Sequence, residues 1–330
     1  MRICLIHTAR LPVFAYGGTE RVVWDLGTAL HRLGHSVTLL AGEGTVSEFA
    51  RVIEIDKQRP LKEQIPRDVD VVHFQGVHGF DPDTEFDLPY VMTEHGNAFG
   101  GQLNRYLNSL FLSKNHAARH NCDQYVYNGL DWDAYGPVDL ARSRPHCHFL
   151  GKASWNVKNI HGAINVAREA KVTMDVLGGS RLNLSRGFRL TFSPRIRFHG
   201  MVGGKEKFAL LNGSRGHIFP VRWHEPFGLA MIESLYFGAP VYGTPYGTLP
   251  ELVVADVGFL SASRHELAMA LKDMRFDPKR CHEYARDEFN ATRMAKAYLE
   301  KYEWVASGRK LNATGPYLSD RSTDPLPWDD

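Results

Sequence analysis

The sequence predicts an α/β protein built from two doubly wound parallel-sheet domains, and three observations predict it. The chain has 330 residues, 43% of them apolar and 23% charged, an ordinary globular composition at about twice the length of a typical domain. Apolar runs of strand length alternate with amphipathic segments of helix length. The alternation lapses once, in a stretch rich in Gly, Pro and Asp, and then starts again without visible sequence repetition. Two Rossmann-like domains facing each other across a cleft are the resulting expectation.

RICLIH (Arg2 to His7) is an apolar run typical of a buried parallel strand. In GGTERVVWDLGTALHRLGH, Val22, Val23, Leu26, Leu30 and Leu33 recur at helical spacing, and Gly34 supplies a left-handed stop. SVTLLAG, VDVVHF (Val69 to Phe74) and PYVMTEHG (Pro89 to Gly96) read as further strands. SLFLS, a helix beginning near Asn115 and a last strand in DQYVYNG complete the first series. The stretch from Asn128 to Arg144 reads as a linker. HCHFLG then opens a second series: helix NIHGAINVAREA, strands VTMDVLGG and IRFHG, helix KEKFALLNG, strand HIFPV, helix PFGLAMIESLYFG and strand PVYGT. A long helical region, HEYARDEFNATRMAKAYLEKYEWVAS, precedes a turn-rich tail expected to be extended or mobile. The chain divides accordingly into 1–140, 141–300 and a helix end and tail, 301–330, that can pack back on the first domain.

Formal net charge is +2, so nothing in the balance calls for nucleic acid or an anionic membrane. Cys4, Cys122, Cys147 and Cys281 are scattered singly, as reduced thiols would be. MRICLIHTARLP lacks the apolar length and cleavage site of a signal peptide. No run approaches the ~20 apolar residues that span a bilayer. A cytoplasmic protein without a transmembrane segment is expected, with weak association at a membrane surface left open.

The segment from His224 to Leu252, HEPFGLAMIESLYFGAPVYGTPYGTLPEL, carries the chemistry. Pro226 suits a first helical position, which needs no N–H. Glu225 then sits just before a helix whose first amides, near Gly228 and Leu229, are free donors suited to phosphate. Glu233 follows about two turns later, roughly 12 Å along the axis at 1.5 Å per residue. That is about the span from a sugar through a diphosphate to a ribose. A helix-capping carboxylate and an unrelated surface glutamate would give the same spacing.

This segment resembles the E-x7-E signature of retaining glycosyltransferases of the GT-B fold, the family 4 type (glycosyl transferases group 1). The matching residues are Glu225-Pro-Phe-Gly-Leu, Glu233, Gly238-Ala-Pro-Val241 and Gly247-Thr-Leu-Pro-Glu251. Gly17-Gly18-Thr19-Glu20 is similar to the family's glycine-rich loop, Thr93-Glu94-His95-Gly96 to its histidine-bearing strand end, and Asn128-Gly129-Leu130-Asp131 to the motif before its interdomain linker. These motifs fall in family order over nearly the whole chain, ending near residue 300.

The resemblance implies a donor site in which Glu225 contacts the sugar hydroxyls, Glu233 the ribose hydroxyls, and the amides of Phe227, Gly228 and Leu229 the phosphates. Gly17, Gly18 and Val202 join the donor-binding set, and His95 would lie beside the reacting sugar. The family's cationic pair falls on Lys152 and Lys158. Lys152 stands where arginine is usual, keeping the charge and losing the bidentate fork. Cations and a helix start aimed at the departing nucleotide would stabilise it electrostatically. Retention by front-side attack, no required metal and no other cofactor are implied. Asp81-Pro-Asp83 and Asp131-Trp-Asp133 read as turn chemistry, and His146-Cys147-His148 lacks the further ligands a zinc site needs.

His73 and His78 sit at another strand end and are candidates to face the acceptor. Residues 1–130 hold 12 Lys and Arg against 15 Asp and Glu, and the remainder 27 against 22. An acidic acceptor domain favours a small soluble acceptor over an anionic bilayer. The expected function is transfer of a hexose-type sugar from a nucleoside-diphosphate sugar, UDP first and GDP next, to such an acceptor. Assembly of a surface polysaccharide or lipid-linked glycan is the alternative, and a regulatory protein that binds a nucleotide sugar is the non-enzyme one. A dehydrogenase is disfavoured, because Gly17-Gly18 comes about ten residues too late for G-x-G-x-x-G and lacks its spacing.

Overall fold

The computed structural model describes residues 1–13, 17–76, 81–97, 106–183, 189–318 and 322–330. The first series runs β1 (Arg2–His7), α1 (Gly18–Arg32), β2 (Ser36–Ala41), β3 (Arg51–Glu54), α2 (Leu61–Gln64), β4 (Val71–Gln75), α3 (Pro82–Glu85), β5 (Tyr90–Thr93), β6 (Ser109–Leu110) and α4 (Lys114–Arg119). The second begins with β7 (His146–Leu150), α5 (Ile160–Glu169), β8 (Thr173–Leu177), a small ribbon of β9 (Leu182–Asn183) and β10 (Arg189–Leu190), β11 (Ile196–Phe198) and α6 (Gly204–Asn212). It continues through β12 (Ser214–Phe219), α7 (Leu229–Tyr236), β13 (Val241–Gly243), α8 (Leu249–Leu252), β14 (Gly258–Leu260) and α9 (Arg264–Asp273) to α10 (Pro278–Glu288) and α11 (Ala291–Ala306).

Two compact units result. One comprises Met1–Val13, Gly17–Trp132 and Phe289–Thr323; the other, Asp133–Glu288 and Asp324–Asp330. In the first unit six strands pair in parallel in the order β3-β2-β1-β4-β5-β6. In the second they pair in parallel as β11-β8-β7-β12-β13-β14. Both are the doubly wound order in which the chain reverses direction beside its first strand, and ligands bind at that reversal, at the C-terminal ends of the strands. The reversal lies between β1 and β4 in the first unit and between β7 and β12 in the second.

The apolar runs that announced the strands are buried on both faces, as helix-covered parallel strands must be. Cys4, Ile6, Leu40, Val72, Phe74, Tyr90 and Met92 form one core layer of the first unit. In the second, Cys147, Phe149, Met174, Val176 and Ile218 pack with Ile160, Ala163, Ile164 and Ala167 of α5.

Several elements differ from expectation. DQYVYNG is not a strand: only Tyr125 bridges, to Phe111. The strands β3 and β14 were not foreseen. The long helical region is two helices, because Asn290 adopts extended backbone and its side chain caps α11 by accepting from the amide of Arg293 at 2.8 Å. At this break the chain returns to the first unit: Leu130 and Phe289 share a backbone hydrogen bond, and a Cβ on Gly129 would lie 2.1 Å from the carbonyl oxygen of Asn290. Described residues of the tail are held by hydrogen bonds. Asn312 bonds the backbone of Leu107 and Ser109 in the first unit, and Tyr246 donates to Pro327 in the second.

Candidate active site

In the second unit the reversal point brings together residues distant in sequence. The loop after β7 carries Lys152 and a single 3-10 turn, Asn156–Lys158. The loop after β12 carries Trp223 and Glu225. Lys158 Nζ lies 2.5 Å from Glu225 Oε2, and Trp223 Nε1–H donates to the same oxygen at 2.7 Å. The ammonium also lies 4.8 Å from the Trp223 ring centroid and 5.2 Å from that of Phe219, a cation–π cradle that holds it without a second carboxylate. Both partners are nearly buried, at 14% and 8% side-chain exposure. Two donors fix Oε2, and no described residue donates to Oε1. Lys152 is exposed and stands 5.5 Å from the Trp155 ring.

The backbone under Glu225 is tightly held. Thr248 donates its amide to the Glu225 carbonyl at 3.0 Å. Gly247 has φ +63°, and a Cβ there would lie 2.2 Å from the Glu225 nitrogen. Only glycine lets this loop press so closely on the site.

The helix start is where expectation needs correction. Pro226 is not its first residue: α7 begins at Leu229, with Gly228 at φ 84°, ψ 66° as its cap residue. The left-handed turn at Gly228 delays the helix by three residues, so Phe227 and Gly228 belong to the approach. Phe227 is buried. Glu233 lies in α7 and is 2% exposed. Its Oε1 accepts from Tyr135 Oη at 2.7 Å and from Lys207 Nζ of α6 at 2.6 Å. Val202, just before α6, packs on the Leu150, Leu177, Leu211 and Phe237 cluster.

The first unit gathers a different set at its own reversal. His95, two residues beyond β5, donates from Nε2 to Gln75 Oε1 at 2.6 Å with the amide so assigned. His7, ending β1, meets the Gln75 carbonyl at 3.3 Å. Burial, with the nearby His7 second, lowers the His95 pKa to about 3, so its ring is neutral. Glu94 keeps its Oε1 buried without a hydrogen-bond partner among the described residues, and burial raises its carboxyl to about 7. His73 is fully buried: its ring nitrogens meet Tyr302 Oη and Thr93 Oγ1, each at 2.7 Å. It therefore reaches no acceptor directly and instead supports the strand end. His78 lies outside the described residues. Gly17 and Gly18 form the start of α1, where Gly17 is the extended cap residue.

Sequence reasoning passed over Trp223, Tyr135, Lys207, Gln75 and Glu94. Trp223 and Glu94 were the more findable, since Trp223 lies two residues before Glu225 and Glu94 adjoins His95. Lys207 was not, because only folding carries α6 to Glu233. The remaining suspects are structural. Asp81 caps α3 by accepting from the amide of Asp83, and Asp131 pairs with Arg32. His148 sits between the hydroxyls of Ser214 and Ser234. The described residues hold no group of three His, Cys, Asp or Glu placed to hold a metal, and no helix long and apolar enough to cross a membrane.

Residues 144–275 match the family model described as glycosyl transferases group 1. No curated protein matches the sequence. Solved structures similar to the chain include AviGT4, a glycosyltransferase involved in avilamycin A biosynthesis, at 22% identity and TM-score 0.74 over 95% of this chain and 99% of that one. Sucrose-phosphate synthase from Thermosynechococcus elongatus aligns at 18% identity and TM-score 0.69, over 93% and 99%. HepE of Anabaena, solved with UDP and glucose, aligns at 15% and 0.64, over 92% and 99%. At these identities the likeness establishes the fold. The segment 144–275 is thus similar to the glycosyl transferases group 1, and the chain's two parallel α/β units have the fold of GT-B glycosyltransferase structures.

Proposed function

We propose that the protein is a retaining, metal-independent glycosyltransferase that moves a hexose-type sugar from a nucleoside-diphosphate sugar to a hydroxyl of a small soluble acceptor. The observation that carries this reading is the Lys158–Glu225 pair at the reversal point of the second sheet, ahead of the start of α7 and inside the segment that matches the glycosyltransferase family. UDP is the favoured base: HepE was solved with UDP-glucose.

In this account Lys152, Lys158 and the amides around Leu229 hold the diphosphate and stabilise the charge that develops as it departs. Glu225, its Oε2 fixed by Lys158 and Trp223, offers Oε1 to the donor sugar. Glu233, braced by Lys207 and Tyr135, is assigned to the ribose. The anomeric C–O bond to phosphate breaks, the acceptor oxygen bonds the same carbon on the same face, and the acceptor proton passes to the departing phosphate oxygen. His95 is assigned to the transferred sugar as a neutral hydrogen-bonding group.

The test is incubation with UDP-glucose and then GDP-mannose, in EDTA, against a panel of small hydroxylated acceptors, with the product's anomeric configuration read by proton NMR. A product with the donor's configuration supports the proposal. An inverted product overturns the mechanism, and dependence on added metal overturns metal independence.

A further inference from the structure

A cavity of about 270 Å³ opens at the other end of the second unit's sheet. Arg144, Arg215 and Arg275 line it, together with Gly238, Tyr242 and Phe276. Arg144 precedes β7 by two residues, Arg215 is the second residue of β12, and Gly238 lies shortly before β13. Since these strands are parallel, the cavity lies at their N-terminal edge, whereas Lys158 and Glu225 leave the C-terminal edge. It is separate from the donor site.

The three guanidinium groups have no carboxylate partner among the described residues, unlike Arg197, Arg264 and Arg280, which are paired with acids. Their donors meet only backbone carbonyls. Arg144 donates to Ser214 at 2.7 Å and Phe237 at 2.9 Å, Arg215 to Leu271 at 2.8 Å, and Arg275 to Lys272 at 2.5 Å and Met274 at 2.9 Å. Nε of Arg144, which is buried, Nε and Nη1 of Arg215, and Nε and Nη2 of Arg275 have no acceptor among the described residues.

A purely structural role would be to neutralise helix ends, and the magnitudes argue against that as the whole account. Apart from Ser214, which starts β12, the carbonyls belong to the C-terminal ends of α7 and α9, each of which offsets about half an elementary charge. Three cations against two such ends leave a net of roughly two positive charges. No acid lines the cavity, and Asp139, which acts on Arg144 through space, is not among its lining residues. Arg144 is the clamped member: its Nη2 lies so close to Gly238 that a Cβ there would stand 2.8 Å from it. Arg144 keeps one buried donor, Nε, unused, and Arg215 and Arg275 keep two nitrogens each.

We propose that this cavity binds a small phosphomonoester, at a site distinct from that of the donor nucleotide. Guanidinium forks match phosphate oxygens in pairs. The volume falls just below the roughly 300–1,000 Å³ of pockets for drug-sized ligands, enough for a phosphoryl group with a small body. Tyr242 and Phe276, edge to face at 5.8 Å, provide an apolar wall beside the cations.

The test is calorimetric titration of the full chain with glycerol 3-phosphate and with inorganic phosphate, in EDTA with excess UDP, at constant ionic strength. Acetate serves as the control anion. Arg275→Gln and the Arg215→Gln/Arg275→Gln double variant alter exposed or half-buried side chains, and urea unfolding checks that they fold. Saturable phosphate binding is expected, weakened on the order of tenfold or more in Arg275→Gln and further in the double variant. Lys158→Ala should bind phosphate as the parent does. Absence of saturable binding, equal affinity in a folded double variant, or loss in Lys158→Ala would each overturn the proposal. Equal binding of acetate would overturn its phosphoryl specificity.

Discussion

Lys158 and Glu225 are 67 positions apart and leave different strands, yet their charged atoms meet at 2.5 Å. The doubly wound order explains the meeting: β7 and β12 are neighbours at the point where the chain reverses, so their outgoing loops converge. Donor chemistry in the proposed function rests on this pair.

Glu225→Ala or Lys158→Ala should lower transfer about 10²-fold or more, the scale for removing one preorganised electrostatic group. Each single change also strands a nearly buried charge and should lower stability by about 3 kcal/mol. The double variant Lys158→Met/Glu225→Gln should recover much of that stability and none of the activity. Urea unfolding and initial-rate assays separate the two effects. Recovery of activity with stability would show the pair to be structural only.

Gly247→Ala should disturb the site from behind. The new Cβ would meet the backbone of Glu225, and φ +63° strains any L side chain. A stability loss of about 1–3 kcal/mol is expected, with weaker nucleotide binding because Glu225 must shift. Unchanged binding in a destabilised variant would separate the loop from the site.

Glu94 should make the protein less stable as pH rises. Below the ordinary carboxyl pKa both folded and unfolded states hold the proton. Between that value and about 7 only the folded state keeps it, so stability falls with pH, and above 7 the loss is complete. The loss should be about 3 kcal/mol. Glu94→Gln should match the parent near pH 4.5 and exceed it at pH 8. Parallel stability curves would contradict this.

Histidine burial acts in the opposite direction and should win at acid pH. His73, His95, His116, His148 and His217 are all held below the ordinary imidazole value, chiefly by burial. As pH drops below about 6.5 the unfolded chain takes up protons that the folded one refuses. Each such group then removes stability at a limiting slope of about 1.4 kcal/mol per pH unit. Five such groups against one Glu94 predict cooperative unfolding by about pH 5, within reach of a typical stability of about 5–15 kcal/mol. Circular dichroism from pH 8 to 4 measures it, and a fold intact at pH 4 would contradict it.

The sheets were legible because their strands are buried on both faces and so read as unbroken apolar runs, as in VVHF and YVMT. The strand RVIE was not, since its residues are half-buried or exposed and its pattern is mixed. The candidate acids and lysines were singled out through their motif. Their partners were not: Trp223 and Lys207 are ordinary residues until folding brings one beside Glu225 and the other against Glu233. The start of α7 was misplaced because proline signals a helix start locally, whereas the left-handed Gly228 between Pro226 and the helix is a tertiary choice.

The central claim, a nucleotide-sugar site held by Lys158 and Glu225, is tested most directly by a thermal shift with UDP, GDP, ADP and NAD in EDTA, on the parent and on Lys158→Ala. A ligand that binds only the folded state raises the melting temperature. The account predicts a shift with one nucleoside diphosphate, UDP first, that needs no metal and is lost in the variant. A shift with NAD alone, or one with UDP that survives in Lys158→Ala, would contradict it.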